Sequence, residues 1–225
     1  LLALPVFSER LLPVRVRVAL AMSLTPLLAE QVSVGQDIGT VAQLGMLAGA
    51  EVVTGLALGG LVRLFAMALD IAATAIAATA SLSQLVGAPN EYSPHPIGSI
   101  LHLAGLALIL ALGFPVLVCQ LLNDSFQLRP LGAWPDIAEL LPSAIALVQR
   151  GFVLAMLLAA PFILGGFLFQ LLSGMISKVM PALPVVFIAA PGAILLALVG
   201  LALLVPSILS IWADAVLDLM QSGLP

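Results

Sequence analysis

The stretch that decides the fold is SGMISKVMPALPVVFIAAPG, residues 173–192, in which one lysine and a cluster of prolines separate two apolar segments. The upstream segment, residues 151–177, contains no Asp, Glu, Lys or Arg, and the downstream segment, residues 179–213, contains none either. Each segment exceeds the about 20 residues that a helix needs to cross a hydrocarbon core. Soluble domains rarely contain two such segments in succession, so the pattern predicts an integral membrane protein.

The composition of the whole chain supports this prediction. Hydrophobic residues make up 62% of the sequence and charged residues 8%, with a mean hydropathy of +1.24. A typical soluble domain contains roughly 25% charged residues. The net charge of -4 argues against nucleic acid as a partner, because binding to nucleic acid needs a basic surface. The single cysteine, Cys119, cannot form an internal disulfide and is expected to be a packed free thiol.

The other apolar runs predict an all-α, polytopic fold with five or six long, kinked helices. Residues 41–80 contain no proline, and as a single helix they would extend about 60 Å. We therefore expect two helices or one bent helix there, with the break near residues 59–60. The predicted spans after this run are residues 97–122, 143–172 and 185–211.

The beginning of the chain has two features of its own. Leu1 lies inside an apolar phrase, so we expect further residues, including a first helix, to precede it. The segment that follows carries Arg10, Arg15 and Arg17, and the preference of basic residues for cytoplasmic loops places it on the cytoplasmic side.

Four glycines form two pairs with a spacing of four residues, a pattern that lets helix backbones approach each other closely in lipid. The pairs are Gly45 with Gly49 and Gly55 with Gly59. They predict a helix-packing face whose partner is either another helix of this chain or a second subunit.

Three ionisable residues, Glu51, Arg63 and Asp70, lie in the same apolar region and are predicted to be buried charges. Arg63 and Asp70 are seven residues apart and so share a helix face. The alternatives are a proton or ion relay, a tether between helices, or simple exposure at an interface. We favour the tether or exposure, because a relay would repeat such groups on several helices and the later spans have almost none.

Prolines interrupt the apolar spans at Pro115, Pro161, Pro191 and Pro206. Because lipid cannot satisfy the freed backbone groups, broken helices at membrane depth indicate a substrate pathway or burial in a larger assembly.

No motif for catalysis or for a cofactor is visible. The two histidines, His95 and His102, are not accompanied by a cysteine pair or a carboxylate cluster, so no metal site is predicted. Motifs for nucleophilic hydrolysis, zinc proteolysis and phosphate binding are missing from the sequence as well. The sequence therefore predicts a non-enzyme without a cofactor.

Four phrases, in order along the chain, resemble the FliR/SctT family of type III export gate subunits. They are residues 4–15 (LPVFSERLLPVR), 51–59 (EVVTGLALG), 124–132 (DSFQLRPLG) and 174–191 (GMISKVMPALPVVFIAAP). From Met156 onward the chain also resembles the small two-helix export protein FliQ. The resemblance implies a FliP-like helical region at residues 1–144, followed by a FliQ-like helical hairpin and a C-terminal tail at residues 145–225.

The resemblance also implies a role. Such a subunit joins FliP- and FliQ-type subunits, beside FlhB- and FlhA-type proteins, in an inner-membrane pore of the flagellar basal body that exports unfolded proteins. A virulence injectisome subunit of the same family and a small-solute secondary transporter are the alternatives.

Two elements of that role can be placed on this sequence. The loop at residues 81–98 matches the segment that plugs the closed pore, the alternative being a surface connector. Its predicted plug residues are Ser81, Gly87, Pro89, Asn90, Glu91, Tyr92, Pro94 and Pro96. The tip of the hairpin is expected to face the cytoplasm and to consist of Lys178, Pro181, Pro184 and Phe187.

Overall fold

A computed structural model of the chain describes residues 3–7, 13–29, 40–79, 96–128, 132–180 and 185–222. These residues form seven helices and no strand, which confirms the predicted all-α fold. The helices are α1 (Val14–Ala29), α2 (Val41–Ala66), α3 (Ala68–Thr79), α4 (Pro96–Ala111), α5 (Phe114–Leu128), α6 (Ile137–Val179) and α7 (Val185–Gln221). Because α2 runs almost directly into α3, and α4 into α5, the described helices correspond to five rods, two of which are interrupted.

Several of these rods are long and apolar enough to cross a membrane. Residues Val41–Ala78, Ile137–Val179 and Pro191–Gln221 meet that criterion singly, and α4 with α5 meets it as a bent pair. The lengths of these rods therefore agree with the prediction of a polytopic membrane protein.

The interruption between α2 and α3 lies at Met67, and the predicted break at residues 59–60 is wrong. Glycine costs a helix about 1 kcal/mol but keeps its backbone N–H, so a glycine pair alone does not end a helix. At Met67 the backbone resumes helical hydrogen bonding at once, because the N–H of Ile71 donates to the carbonyl of Met67 at 3.0 Å.

The interruption predicted beside Pro115 is confirmed, and it lies at Gly113. The axes of α4 and α5 differ by 67°, and Gly113 has a φ of 90°, which only glycine adopts without strain. Pro115 then lies in the first turn of α5, where its missing N–H needs no helical acceptor.

The last two helices are longer than the sequence indicated. Helix α6 begins at Ile137, after Asp136 accepts a hydrogen bond from the N–H of Ala138 at 2.8 Å, and α7 continues ten residues beyond Ile211 to Gln221. Capping by Asp136 satisfies one of the N–H groups that a helix start leaves free. Pro161, Pro191 and Pro206 all lie inside continuous helix, so these prolines do not divide either rod.

The chain divides into two compact units, each built from separate stretches of sequence. The first contains Leu1–Ala66, Leu108–Arg150 and Asp214–Pro225, and the second contains Met67–Ala107 and Gly151–Ala213. Large side chains that are fully buried in the first unit include Val62, Ile109, Phe114, Val118, Leu147 and Val216. The apolar core of this unit therefore draws on helices that lie far apart in sequence.

The second unit is built around a close approach of helices at Gly105 in α4. A Cβ atom at this position would overlap the side chain of Leu69 in α3 and lie 3.1 Å from the ring of Trp212 in α7. Trp212 and Ile76 are among its most deeply buried side chains. The alanine-rich sequence of α3 fits this packing, because Ala72 and Ala73 are buried in the same unit.

Candidate functional site

Glu51 of α2 accepts a hydrogen bond from the backbone N–H of Gly132, and the donor and acceptor atoms are 2.9 Å apart. Gly132 lies in the turn before α6, has a φ of 79°, and packs so tightly on Leu47 that a Cβ atom there would overlap the leucine side chain. Glu51 is half-buried, and a carboxylate in such a setting is stabilised by a backbone donor. The contact fixes the α5–α6 turn against α2.

The four glycines of the predicted packing face divide into two groups. A Cβ atom at Gly59 would lie 2.8 Å from the Cβ of Ala3, so the N-terminal segment approaches α2 closely at this position. A Cβ atom at Gly45, Gly49 or Gly55 would have no described atom within 4 Å apart from its own stretch of helix. Contact of these three glycines with a partner subunit remains a prediction.

The three predicted buried charges differ in their surroundings. Arg63 is exposed, and among the described residues its guanidinium has no ion pair, so its burial would require another subunit. Asp70 is partly exposed, and its Oδ1 lies 2.6 Å from Nδ1 of His102. This hydrogen bond joins α3 to α4 within the second unit. This contact is a tether between two helices. The partner of Asp70 is His102 and not Arg63, although Arg63 shares a helix face with Asp70.

Most residues of the predicted plug lie outside the described residues: Ser81, Gly87, Pro89, Asn90, Glu91, Tyr92 and Pro94. Pro96 begins α4. Among the hairpin-tip residues, Lys178 is exposed in the last turn of α6, Phe187 lies in the first turn of α7, and Pro181 and Pro184 fall outside the described residues. The positive charge of Lys178 complements the partial negative charge at the end of α6.

Within the described ranges, no three His, Cys, Asp or Glu side chains converge on a position that could hold a metal ion. Cys119 is half-buried and has a free thiol. These ranges present a set of apolar helices joined by polar contacts that include Glu51 with Gly132 and Asp70 with His102, a geometry suited to packing against other helices.

The comparison with known families identifies the family of this chain. Residues 1–219 match the sequence profile of the family described as "Bacterial export proteins, family 1". The chain belongs to this family of bacterial export proteins.

Two proteins that are similar in sequence to this chain are both named "Flagellar biosynthetic protein FliR". The protein from Caulobacter vibrioides (strain ATCC 19089 / CIP 103742 / CB 15) is 29% identical over 224 residues, covering 98% of this chain and 89% of the relative. The protein from Pectobacterium carotovorum subsp. carotovorum is 28% identical over 213 residues, covering 91% of this chain and 79% of the relative. The match therefore extends over nearly the whole export protein rather than one segment.

The sequence does not reveal two residues that form hydrogen bonds within the protein, Gly132 with Glu51 and His102 with Asp70. In the sequence, Gly132 is only the last residue of the phrase at residues 124–132, and His102 is only a candidate for a metal or proton site. The one available signal for Gly132 was the phrase PLG, residues 130–132, which is typical of a turn that needs a positive φ. Nothing in the sequence indicated that His102 would face Asp70, because the pairing depends on the packing of α3 on α4.

Proposed function

We propose that this protein is a non-catalytic core subunit of a flagellar protein export apparatus, in the inner membrane at the flagellar basal body, where it helps to form the pore for unfolded proteins. The observation that carries the proposal is the match of residues 1–219 to a family of bacterial export proteins. The names of the two relatives support the flagellar assignment. We propose FliP- and FliQ-type subunits as direct partners, with FlhB- and FlhA-type proteins beside them.

The surface of the chain supports a role in an assembly. Large apolar side chains are exposed along the charge-free part of α7, namely Leu195, Leu196, Leu198, Val199, Leu203 and Ile211. Three glycines of α2 also face open space. Both surfaces have the composition that packs against other helices in a membrane protein complex.

Within this assembly we propose that residues 1–144 act as a FliP-like part and residues 145–225 as a FliQ-like hairpin with its tail. The loop at residues 81–98 would then close the pore, and the tip around Lys178 would face the cytoplasm. The three prolines of the loop support this, because proline at this density disfavours helix formation.

The first experiment is co-expression of the chain with FliP- and FliQ-type subunits, extraction in detergent and native mass spectrometry. We expect a discrete hetero-oligomer that contains one copy of this chain. A monomer or homodimer that ignores these subunits would contradict the proposal and favour a small-solute transporter.

A second experiment separates the flagellar role from a virulence role. The chain is expressed in a Caulobacter vibrioides strain that lacks its own FliR, and swimming in soft agar is measured. Restored swimming supports a flagellar subunit. Assembly with virulence-type but not flagellar-type partners, with no swimming, would assign the chain to an injectisome.

A further inference from the structure

The first unit contains a pocket of about 590 Å³ near the end of α7. Its floor is apolar, because Phe65, Leu147 and Leu219 line it and are all buried. Its rim is polar, and includes the exposed residues Arg150 and Asp218 together with Gln221 and Ser222. A cation and an anion therefore face the same cavity.

The described part of the chain does not neutralise either charge. Among the described residues, the guanidinium of Arg150 and the carboxylate of Asp218 form no ion pair and no side-chain hydrogen bond. Each is therefore available to a ligand group of opposite charge. An arginine binds phosphate oxygens through two parallel N–H donors, so Arg150 fits the anionic half of a ligand.

The end of α7 adds a second reason for a cationic group at this pocket. The last turn of α7 contains no basic residue, although Asp218 lies close to the carbonyl end of the helix. Helix C-termini carry a partial negative charge that cations stabilise and carboxylates do not. The pocket therefore combines a strongly negative side at Asp218 with a positive side at Arg150.

The position of these residues in the sequence indicates the source of the ligand. Arg150 directly precedes the charge-free residues 151–177, and Asp214, one turn before Asp218, directly follows the charge-free residues 179–213. The pocket thus belongs to the level at which two apolar segments give way to charged chain. In a membrane protein this is the level of the lipid headgroups.

We propose that this pocket binds the headgroup of a zwitterionic phospholipid with a primary ammonium, as in phosphatidylethanolamine. The phosphate contacts Arg150 and the ammonium contacts Asp218 and the end of α7. A choline headgroup has no N–H to donate to Asp218, and a glycerol headgroup has no cation, so both bind less well. The inference goes beyond the export role and does not depend on it.

The test is a native mass spectrometry titration of the purified full chain in detergent, with dioleoyl phosphatidylethanolamine as the probe and phosphatidylcholine and phosphatidylglycerol as comparisons. Arg150→Gln is expected to weaken ethanolamine lipid binding about tenfold, as loss of a charged hydrogen bond does, and Arg150→Lys to restore part of it. Asp218→Asn is expected to abolish the preference for ethanolamine over glycerol headgroups while leaving binding of the glycerol lipid intact or stronger.

Arg63→Gln and Asp214→Asn are the matched controls, because both residues are exposed charges that do not line the pocket. Equal binding by the parent chain, Arg150→Gln and Asp218→Asn would overturn the proposal. So would complete displacement of the lipid by an equal concentration of soluble phosphoethanolamine, which would mark a site for a free small molecule. Loss of the bound lipid on assembly with FliP- and FliQ-type subunits would assign the pocket to a protein partner and would also refute it.

Discussion

The α2–α3 rod and helix α7 are similarly apolar, yet the chain covers them very differently. In the most apolar window of Val41–Ala78, 39% of the residues are buried inside the protein, against 6% in that of Pro191–Gln221. The N-terminal segment and the Gly132 turn pack on α2, and α4 packs on α3. The large side chains in the middle of α7 are mostly exposed, although Phe162 of α6 approaches Gly200 there. High hydropathy therefore specifies an apolar environment but does not specify whether the chain, the lipid or another subunit supplies it.

The largest effect is expected at Gly105 of α4, where α4 packs closely on α3. Gly105→Leu is expected to destabilise the protein by about 3 kcal/mol, because overpacking against Leu69 and Trp212 forces side chains out of their positions. The measurement is the unfolding midpoint of the purified protein in detergent. Gly165→Leu is the control, since Gly165 is also helical but has open space around it. Equal midpoints for the two variants would show that α3, α4 and α7 do not pack as described.

The Glu51 contact is expected to have the next largest effect. Glu51→Leu leaves the N–H of Gly132 without its acceptor in a half-buried setting, which costs about 2 kcal/mol. Glu51→Gln retains an acceptor oxygen and should cost much less.

Hydrogen exchange at the Gly132 amide gives a local measurement of the same contact. Exchange should become faster in Glu51→Leu and change little in Glu51→Gln. Unchanged exchange in both variants would refute the hydrogen bond even if the overall stability fell.

The contact between Asp70 and His102 is expected to be weaker. Both side chains are partly exposed, at 41% and 29%, so solvent reduces the strength of their hydrogen bond to about 1 kcal/mol. A double-mutant cycle with Asp70→Ala and His102→Ala measures the coupling energy directly. Additive effects of the two substitutions would indicate that the residues act independently.

The smallest change in the stability of the isolated chain is expected from substitutions at the exposed side chains of α7. Leu203 is 71% exposed, so Leu203→Asn should change the stability of the purified chain by less than about 0.5 kcal/mol. Its effect should appear instead as poorer recovery of the complex with FliP- and FliQ-type subunits. A large loss of stability in the chain alone would mean that α7 is covered within the protein, and would remove the contrast with α2.

The sequence predicts the long apolar helices, although not their ends, and one of the two breaks. Charge-free runs are local properties, and Gly113 combines with Pro115 to give a bend that does not depend on distant residues. The expected break at residues 59–60 is wrong because a glycine pair keeps its backbone N–H groups and does not end a helix by itself. No glycine or proline in the sequence marks the observed interruption at Met67.

For the polar contacts, the sequence reveals one residue of each pair but not the other. Glu51 and Asp70 stood out because ionisable residues are rare in apolar helices. Their partners did not, since a backbone N–H at Gly132 carries no signal of its own and His102 faces Asp70 only after α3 and α4 pack. Arg63 lies in the same apolar region and yet is exposed, so the expectation that ionisable residues of apolar helices are buried does not hold for it within this chain.

The bend at Gly113 also determines how far α4 and α5 extend in any one direction. At 1.5 Å per residue α5 is about 21 Å long, but with a turn of 67° only about 8 Å of that length lies along the axis of α4. Together the two helices advance about 30 Å along that axis, which is close to the thickness of a hydrocarbon core. A straight rod of the same sequence would advance about 45 Å and would project well beyond it. The bend therefore shortens the extent of this pair along the axis of α4 by about 15 Å.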